Sequence, residues 1–210
     1  MQKLPESIYA HFERRQADIM NAANYHRFAI FVPVVHLEEG LHFLFEVRSP
    51  HVPQPGDVCF PGGRVDQTDR SMADAAVREL VEETGIDRED ASILGELDYI
   101  VSPAGSIIHP FFGEIRSGAS FSPDPGEVEE LFFLPVRDLL TLEPETHKIA
   151  LQVQPPDDFP YHLIPNGENY PFRGGSMEEK FYQLNGRTVW GLTARILMHT
   201  LDELRRGGQA

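Results

Sequence analysis

The stretch Arg78-Glu79-Leu80-Val81-Glu82-Glu83-Thr84-Gly85-Ile86, preceded upstream by Gly62-Gly63, decides how the rest of the chain is read. As a helix it carries Glu79, Glu82 and Glu83 at i, i+3 and i+4, so their side chains share one face within reach of one another. Like charges placed this way destabilise a bare helix. A hard divalent cation, Mg²⁺ or Mn²⁺, supplies the missing positive charge, because such ions prefer oxygen ligands and bridge carboxylates to substrate phosphates. Ser71-Met72-Ala73-Asp74 reads as a capping box ahead of the helix and Gly85 as its C-terminal cap. Met72, Ala76, Val77 and Leu80 form an apolar stripe that would lie on a sheet, leaving the glutamates turned the other way. Asp74 with Arg78, and Arg78 with Glu82, are i,i+4 ion pairs. The plain alternative is a solvated, charge-laced surface helix.

Composition sets the outer bounds. The 210 residues, 41% of them hydrophobic, suffice for one domain with a substantial core. Lys and Arg total 18 against 33 Asp and Glu, a formal charge of −15 that argues against a surface tracking nucleic-acid phosphates. The longest apolar run, Phe28 to Val35, is far short of the roughly 18 residues a membrane helix needs. The opening Met1-Gln2-Lys3-Leu4-Pro5-Glu6 does not lead into a signal-peptide core, so a cytoplasmic location is expected. Cys59 stands alone, which suits a reducing compartment, and reads as a packing residue with no base near it in sequence. None of the nine histidines shows zinc-like spacing.

Along the chain, Pro5 to about Met20 reads as an amphipathic helix, and Arg27–His36 and Leu41–Arg48 as strands. Ser49 to Gly56 is a proline-rich loop suited to a pocket rim. Val58 and Phe60 enter the glycine turn as a short strand. Further strands are predicted near Ile93–Val101, Ile108–Ile115 and Val128–Leu134, parted by Ser102-Pro103-Ala104-Gly105 and Ser122-Pro123-Asp124-Pro125-Gly126. His147–Gln154 alternates like a strand within a lobe, residues 143–175, that six prolines punctuate. Lys180–Leu184, the Asn185-Gly186 turn and a helix over Leu192–Leu204 close the chain. The domain reading is an N-terminal helical extension (1–24), one domain (25–204) that includes the proline-rich lobe, and a tail (205–210).

The segment from Gly63 to Ile86 resembles the Nudix hydrolase box, Gly-x5-Glu-x7-Arg-Glu-U-x-Glu-Glu-x-Gly-U, where U is a bulky aliphatic residue. Arg78 to Ile86 matches its second half throughout. The first half departs: counting back from Arg78 puts Arg70 where the box has Glu and Arg64 where it has Gly. One inserted residue restores the pattern, with Gly63 in the glycine place and Asp69 replacing the first glutamate. That longer loop is similar to the coenzyme A pyrophosphatase subgroup, through Phe60-Pro61-Gly62-Gly63 with Asp66 and Asp69, Leu44 to Ser49, and Gly56 to Phe60. Glu127-Val128 with Leu131, Phe132 and Pro135, and Gly191 to Ala194, extend the similarity, which covers roughly residues 28–204. Between Arg48 and Gly56 the subgroup usually carries a basic residue and a histidine; Pro50 to Pro55 is one residue shorter and has fewer cations.

The resemblance implies an α+β Nudix fold, a mixed β-sheet sandwiched between α-helices with the box as a loop-helix-loop. It implies that Glu79, Glu82 and Glu83, with the Gly63 carbonyl, hold Mg²⁺ or Mn²⁺ and that Arg78 orients the glutamates from behind. Glu127, followed by Glu129 and Glu130, is the candidate general base, against a plain reading as a solvated turn acid. Arg48 is the candidate phosphate contact, against an ordinary ion pair with Glu46 or Asp57. Arg64, Arg70 or Arg173 are candidates to supply the cations that the Pro50 to Pro55 loop lacks. Gly62 and Gly63 would line the substrate. Phe60, Phe111 and Phe112 are candidates to stack on adenine, against the commoner use of such rings in a core. The implied partner is a small nucleoside pyrophosphate, with no nucleic acid and no membrane, and a homodimer left open. Three functions follow in order: cleavage of coenzyme A or its thioesters, cleavage of ADP-ribose or a dinucleotide, and a non-catalytic nucleotide-binding domain. The complete glutamate trio counts against the third.

Overall fold

The computed structural model describes residues 4–208; residues 1–3 and 209–210, at the outer ends of the predicted extension and tail, lie outside the described residues. Helix α1 (Glu6–Arg14) stops well before Met20, because Arg15 is already extended and no residue of α1 is buried. A helix this short is marginal in water without a packed face, so nothing propagates it further.

Strands β1 (His26–Leu37) and β2 (Gly40–Arg48) form a hairpin that pairs only from Val34 with Phe43 to Leu37 with Gly40. Beyond that the two strands part. Strand β7 (Ser106–Ile115) runs parallel to β1 along one edge, from His26 with Ser106 to Val35 with Ile115. The other edge of β1 is taken at Phe28 to Ile30 by β4 (Gly62–Arg64), a strand missing from the sequence reading. Strand β8 (Val128–Pro135) covers β2 from His42 to Arg48, so β3 (Val58–Cys59) occupies the inner edge of β2 opposite Glu46 and Val47. The β3–β4 segment, with Phe60-Pro61 at its bend, is thus a wedge in the split hairpin. Phe31 N–H donates to the Pro61 carbonyl at 2.8 Å and ties it there.

On the far side of β7 lie β5 (Ala91–Glu96) and β6 (Ile100–Ser102), where one strand had been predicted. The break falls opposite Pro110, which has no N–H for the ladder. Side-chain alternation in β1 then builds two cores. Ala29, Phe31 and Val35 meet Ala76 and Leu80 of α2 (Met72–Thr84) on one face. Val32 and Val34, with Phe43 and Phe45, meet Ala194, Leu197 and Leu201 of α4 (Gly191–Gly207) on the other. A mixed sheet between helices is the result. Helix α4 continues to Gly207, so Arg205 to Gly207 are helix where a tail was predicted. Among the described residues, no helix is long and apolar enough to cross a membrane.

Helix α3 (Val136–Thr141), not predicted, follows β8 directly and buries Val136 and Leu139. A second antiparallel sheet, in the order β11-β10-β9, comprises β9 (Glu145–Leu151), β10 (Gly175–Leu184) and β11 (Arg187–Trp190). Its β10–β11 turn is Asn185-Gly186 as predicted, both residues at positive φ. Strand β9 begins and ends earlier than expected and β10 starts five residues before Lys180, because pairing of Gly175 with Leu151 through Phe181 with Glu145 sets both ends. Tyr182, Leu184 and Val189 join the α4-side core, so the lobe shares it.

Candidate active site

The site is built where the hairpin splits, from the second half of α2, the wedge, and β2 around Glu46. Ser71 Oγ accepts the Asp74 N–H at 3.1 Å, while the Asp74 carboxylate accepts the N–H of Arg70 at 3.2 Å instead of that of Ser71. Asp74 pairs with Arg88, not with Arg78 as predicted. At the other end Gly85 adopts φ +69° and donates to Val81 O at 2.9 Å; a Cβ there would also run into the Ser122 carbonyl. Between these caps the buried stripe includes Ala76, Leu80, Glu83 and Thr84. Glu83 therefore belongs to the face that packs on the sheet, which corrects the expectation that all three glutamates turn away from it. It is 4% exposed, and its Oε2 accepts the Gly62 N–H at 2.7 Å.

Arg78 lies at the centre of the other two. Its Nε and Nη2 donate to the two oxygens of Asp69, each at 2.9 Å, and Nη2 also reaches the Arg64 carbonyl at 3.1 Å. Its Nη1 donates to Glu79 Oε1 and to Glu82 Oε2, both at 2.9 Å. Asp69 is thus a buried, bidentate anchor that holds the guanidinium against two of the three glutamates. Glu79 packs on Gly63 so closely that a Cβ there would stand 2.6 Å from its carboxylate. Glu82 is the exposed member, its side chain 54% accessible.

Glu46, weighed from the sequence only as a surface partner for Arg48, lies in the same place. It is 1% exposed; its Oε1 accepts the Cys59 thiol hydrogen at 3.0 Å, and its Oε2 has no hydrogen-bond partner among the described residues. The one signal in the sequence was a glutamate inside the otherwise apolar run Leu44 to Val47. Pairing of β2 with β3 sets Cys59 opposite Glu46, so the thiol does have a base beside it, contrary to the reading from sequence separation. Burial, then the charge of Glu46, pushes the Cys59 thiol upward.

The electrostatics join these groups. Burial pushes the Glu83 carboxyl up to about 9, with the charges of Glu46, Glu79 and Glu127 adding and the Gly62 N–H opposing. Burial likewise pushes Glu46 up to about 7, eased by the Cys59 hydrogen bond and by Arg48 and reinforced by Glu127 and Glu79. Glu79 is raised by burial and lowered in part by Arg78. Glu127 itself is exposed, and its carbonyl accepts the Ser49 N–H at 2.9 Å, which fixes the turn beside the end of β2. Among the described residues no three His, Cys, Asp or Glu side chains already form a metal cage, since Glu79 and Glu82 are turned onto Arg78. The donor set still fits a hard divalent cation: oxygen ligands only, mutually repelling, with one buried carboxylate oxygen unpaired.

The predicted substrate contacts fare differently. Arg48 Nε donates to the Pro53 carbonyl at 2.9 Å and Nη1 approaches Cys59 Sγ at 4.0 Å, with no ion pair to Glu46 or Asp57. Phe60 is 2% exposed and stacks on Phe45 with centroids 4.6 Å apart, so the structure removes it as an adenine platform. Phe111, 5% exposed, is likewise core, and Phe112 is partly buried against the α4-side core. Gly62 gives its N–H to Glu83, not to the space a substrate would occupy. Arg64 reaches His26, while Arg70 and Arg173 are exposed. A cleft of about 510 Å³ opens at the same strand ends, between Val47, Asp57 and Val58 and the residues Phe181, Arg187 and Trp190 of the second sheet.

The NUDIX domain family model matches residues 26–153. The chain is 32% identical over 140 residues to the uncharacterized Nudix hydrolase NudL of Pectobacterium atrosepticum, covering 67% of each protein. It is 29% identical over 154 residues to the peroxisomal coenzyme A diphosphatase NUDT7 of Mus musculus, covering 70% of this chain and 64% of that one. The solved NUDIX domain of Shewanella oneidensis NrtR, complexed with ADP ribose, superposes over 67% of this chain and 89% of that chain, with 20% identity and a TM-score of 0.46. With the domain match spanning the split hairpin and the capped glutamate helix, the chain belongs to the Nudix family and is a pyrophosphohydrolase.

Proposed function

We propose that the protein hydrolyses the pyrophosphate bond of coenzyme A or its thioesters in the presence of Mg²⁺ or Mn²⁺, giving 3′,5′-ADP and phosphopantetheine or its acyl form. The observation that carries this reading is the longer loop after Gly63, which folds so that Asp69 takes Nε and Nη2 of Arg78; the likeness to the mouse coenzyme A diphosphatase supports it. Glu79, Glu82 and Glu83, with the main chain at Gly63, would hold the cation, which neutralises pyrophosphate oxygens and lowers the pKa of water. Arg78 withdraws from Glu79 and Glu82 onto Asp69 as those carboxylates are claimed. Glu127, beside the cluster yet exposed, takes the proton from water as its oxygen adds to phosphorus and the bridging P–O bond breaks. Arg48 contacts phosphate through the N–H groups it does not spend on Pro53.

A specific observation favours a second reading. Arg48 is partly committed to the Pro50–Pro55 loop, which leaves fewer cations for the 3′-phosphate of coenzyme A, so ADP-ribose or another nucleoside diphosphate derivative is the runner-up substrate. Purified protein incubated with a panel of pyrophosphates distinguishes them. Coenzyme A cleaved faster than dephospho-coenzyme A and ADP-ribose supports the first reading, and the reverse order supports the second. Turnover in excess chelator would remove the cation from the mechanism. Glu127→Gln is expected to lower kcat, leave cation affinity nearly unchanged and abolish the acidic limb of the pH–rate profile. A weakened cation titration would instead make Glu127 a ligand.

A further inference from the structure

We infer that the sheet supplies the cation centre with a carboxylate that the helical motif does not contain: Glu46, whose Oε2 joins the donor set while the Cys59 thiol holds Oε1 and fixes the rotation of the group. The inference rests on the metal-dependent reading above and extends it to a residue outside the motif.

A carboxylate 1% exposed with one oxygen unpaired stands against the general rule that buried polar atoms find partners, because desolvation of a charged group is costly. Among the described residues no donor reaches that oxygen. Arg48, two residues away on β2, gives Nε to Pro53 and reaches only as far as Cys59 Sγ. The other charges that Glu46 feels most, those of Glu127 and Glu79, are negative, and Glu46 in turn is the strongest charge acting on Glu83. Glu79, Glu83 and Glu127 act on Glu46, or are acted on by it, as like charges, and a set of oxygen ligands that repel one another suits a hard divalent cation. The supporting shell is built accordingly. Cys59 is placed opposite Glu46 by the β2–β3 register, and its hydrogen bond at 3.0 Å selects which oxygen is left over. Metal ligands are commonly held this way by a hydrogen bond on the atom that does not face the ion.

Titration of metal-free protein with Mn²⁺, read by calorimetry and by the free-ion electron paramagnetic resonance signal, tests the assignment without reference to turnover. Glu46→Gln is expected to weaken Mn²⁺ binding by about 10- to 100-fold, while the metal-free melting temperature holds or rises because a like charge has been removed. Glu46→Asp, which keeps the charge and withdraws it by one methylene, is expected to weaken binding as well and serves if the amide variant does not fold. Cys59→Ala is expected to weaken binding several-fold and Cys59→Ser, which retains a donor, to restore it, a pattern that mere packing would not produce. Wild-type affinity in Glu46→Gln or Glu46→Asp, alongside lost affinity in Glu83→Gln, overturns this inference and leaves the metal-dependent reading intact. Absence of Mn²⁺ binding by the wild-type chain overturns both. Failure of coenzyme A as a substrate, with Mn²⁺ binding dependent on Glu46, leaves this inference standing.

Discussion

Asp69 and Arg78 set the resting state of the glutamates. Because Asp69 takes two of the guanidinium N–H groups, only Nη1 is left to hold Glu79 and Glu82, the two carboxylates that a divalent cation would compete for. Asp69→Asn halves that anchor. It is expected to cost about 1–3 kcal/mol in denaturant unfolding and to weaken Mn²⁺ binding, since Arg78 then leans harder on Glu79 and Glu82. An unchanged ion titration would show that Asp69 only braces the loop. The two glutamates later in the helix should part company in stability. Glu82→Gln and Glu83→Gln are each expected to lose most turnover, but metal-free Glu83→Gln should be at least as stable as wild type, because the amide keeps an acceptor for the Gly62 N–H and cannot take on the charge that a 4% exposed carboxyl acquires as pH rises. Glu82, which faces solvent, should leave stability nearly unchanged. Near wild-type turnover in both variants would sink the ligand assignment. The helical positions of these residues were legible from spacing alone. Glu46 was not, because its neighbours come from β3 and α2, and no local pattern states which face of a strand meets a helix far along the chain.

The box helix depends on its ends. Gly85 serves twice, giving the left-handed turn that ends α2 and leaving room for the Ser122 carbonyl, which Ser122 N–H and Thr84 O hold in place at 3.0 Å. Gly85→Ala is expected to lower stability by at least about 1–2 kcal/mol from the backbone conformation alone, with a further loss from the contact, read as a fall in melting temperature. Retention of the wild-type value would mean that the turn has an alternative route. The same element shows where periodicity misleads. A stripe drawn through Met72, Ala76, Val77 and Leu80 stops one turn too soon, since Glu83 and Thr84 continue it into the core; an apolar count passes over a buried glutamate. Helix α1 errs in the opposite sense, for its amphipathic pattern finds no surface and the helix ends at Arg14.

At the scale of the whole molecule, the buried carboxylates make stability depend on pH and on metal together. Glu83 is raised from 4.5 to about 9 and Glu46 from 4.5 to about 7, so across that range the folded chain holds protons that the unfolded chain has lost. The associated stability is fully present below about pH 4.5 and is lost as pH rises through about 7 and towards 9. On the proposed ligand assignment a divalent cation would replace those protons. The melting temperature in chelator is therefore expected to fall between about pH 6 and pH 9, and the gain from Mg²⁺ or Mn²⁺ to grow over the same interval. A metal-free melting temperature that climbs with pH would contradict this arrangement. The sequence by itself determined what local physics controls: the capped helix and its glutamate spacing, the Asn185-Gly186 turn, the strands on either side of the box, and, by resemblance, the family. The tertiary structure decided what depends on contacts between distant segments. Splitting of the β1–β2 hairpin by the wedge placed Glu46 and Cys59 at the site, buried Phe60 and turned Glu83 inward, because the pairing partners of a strand are fixed by whichever segments fill its two edges and not by its own residues.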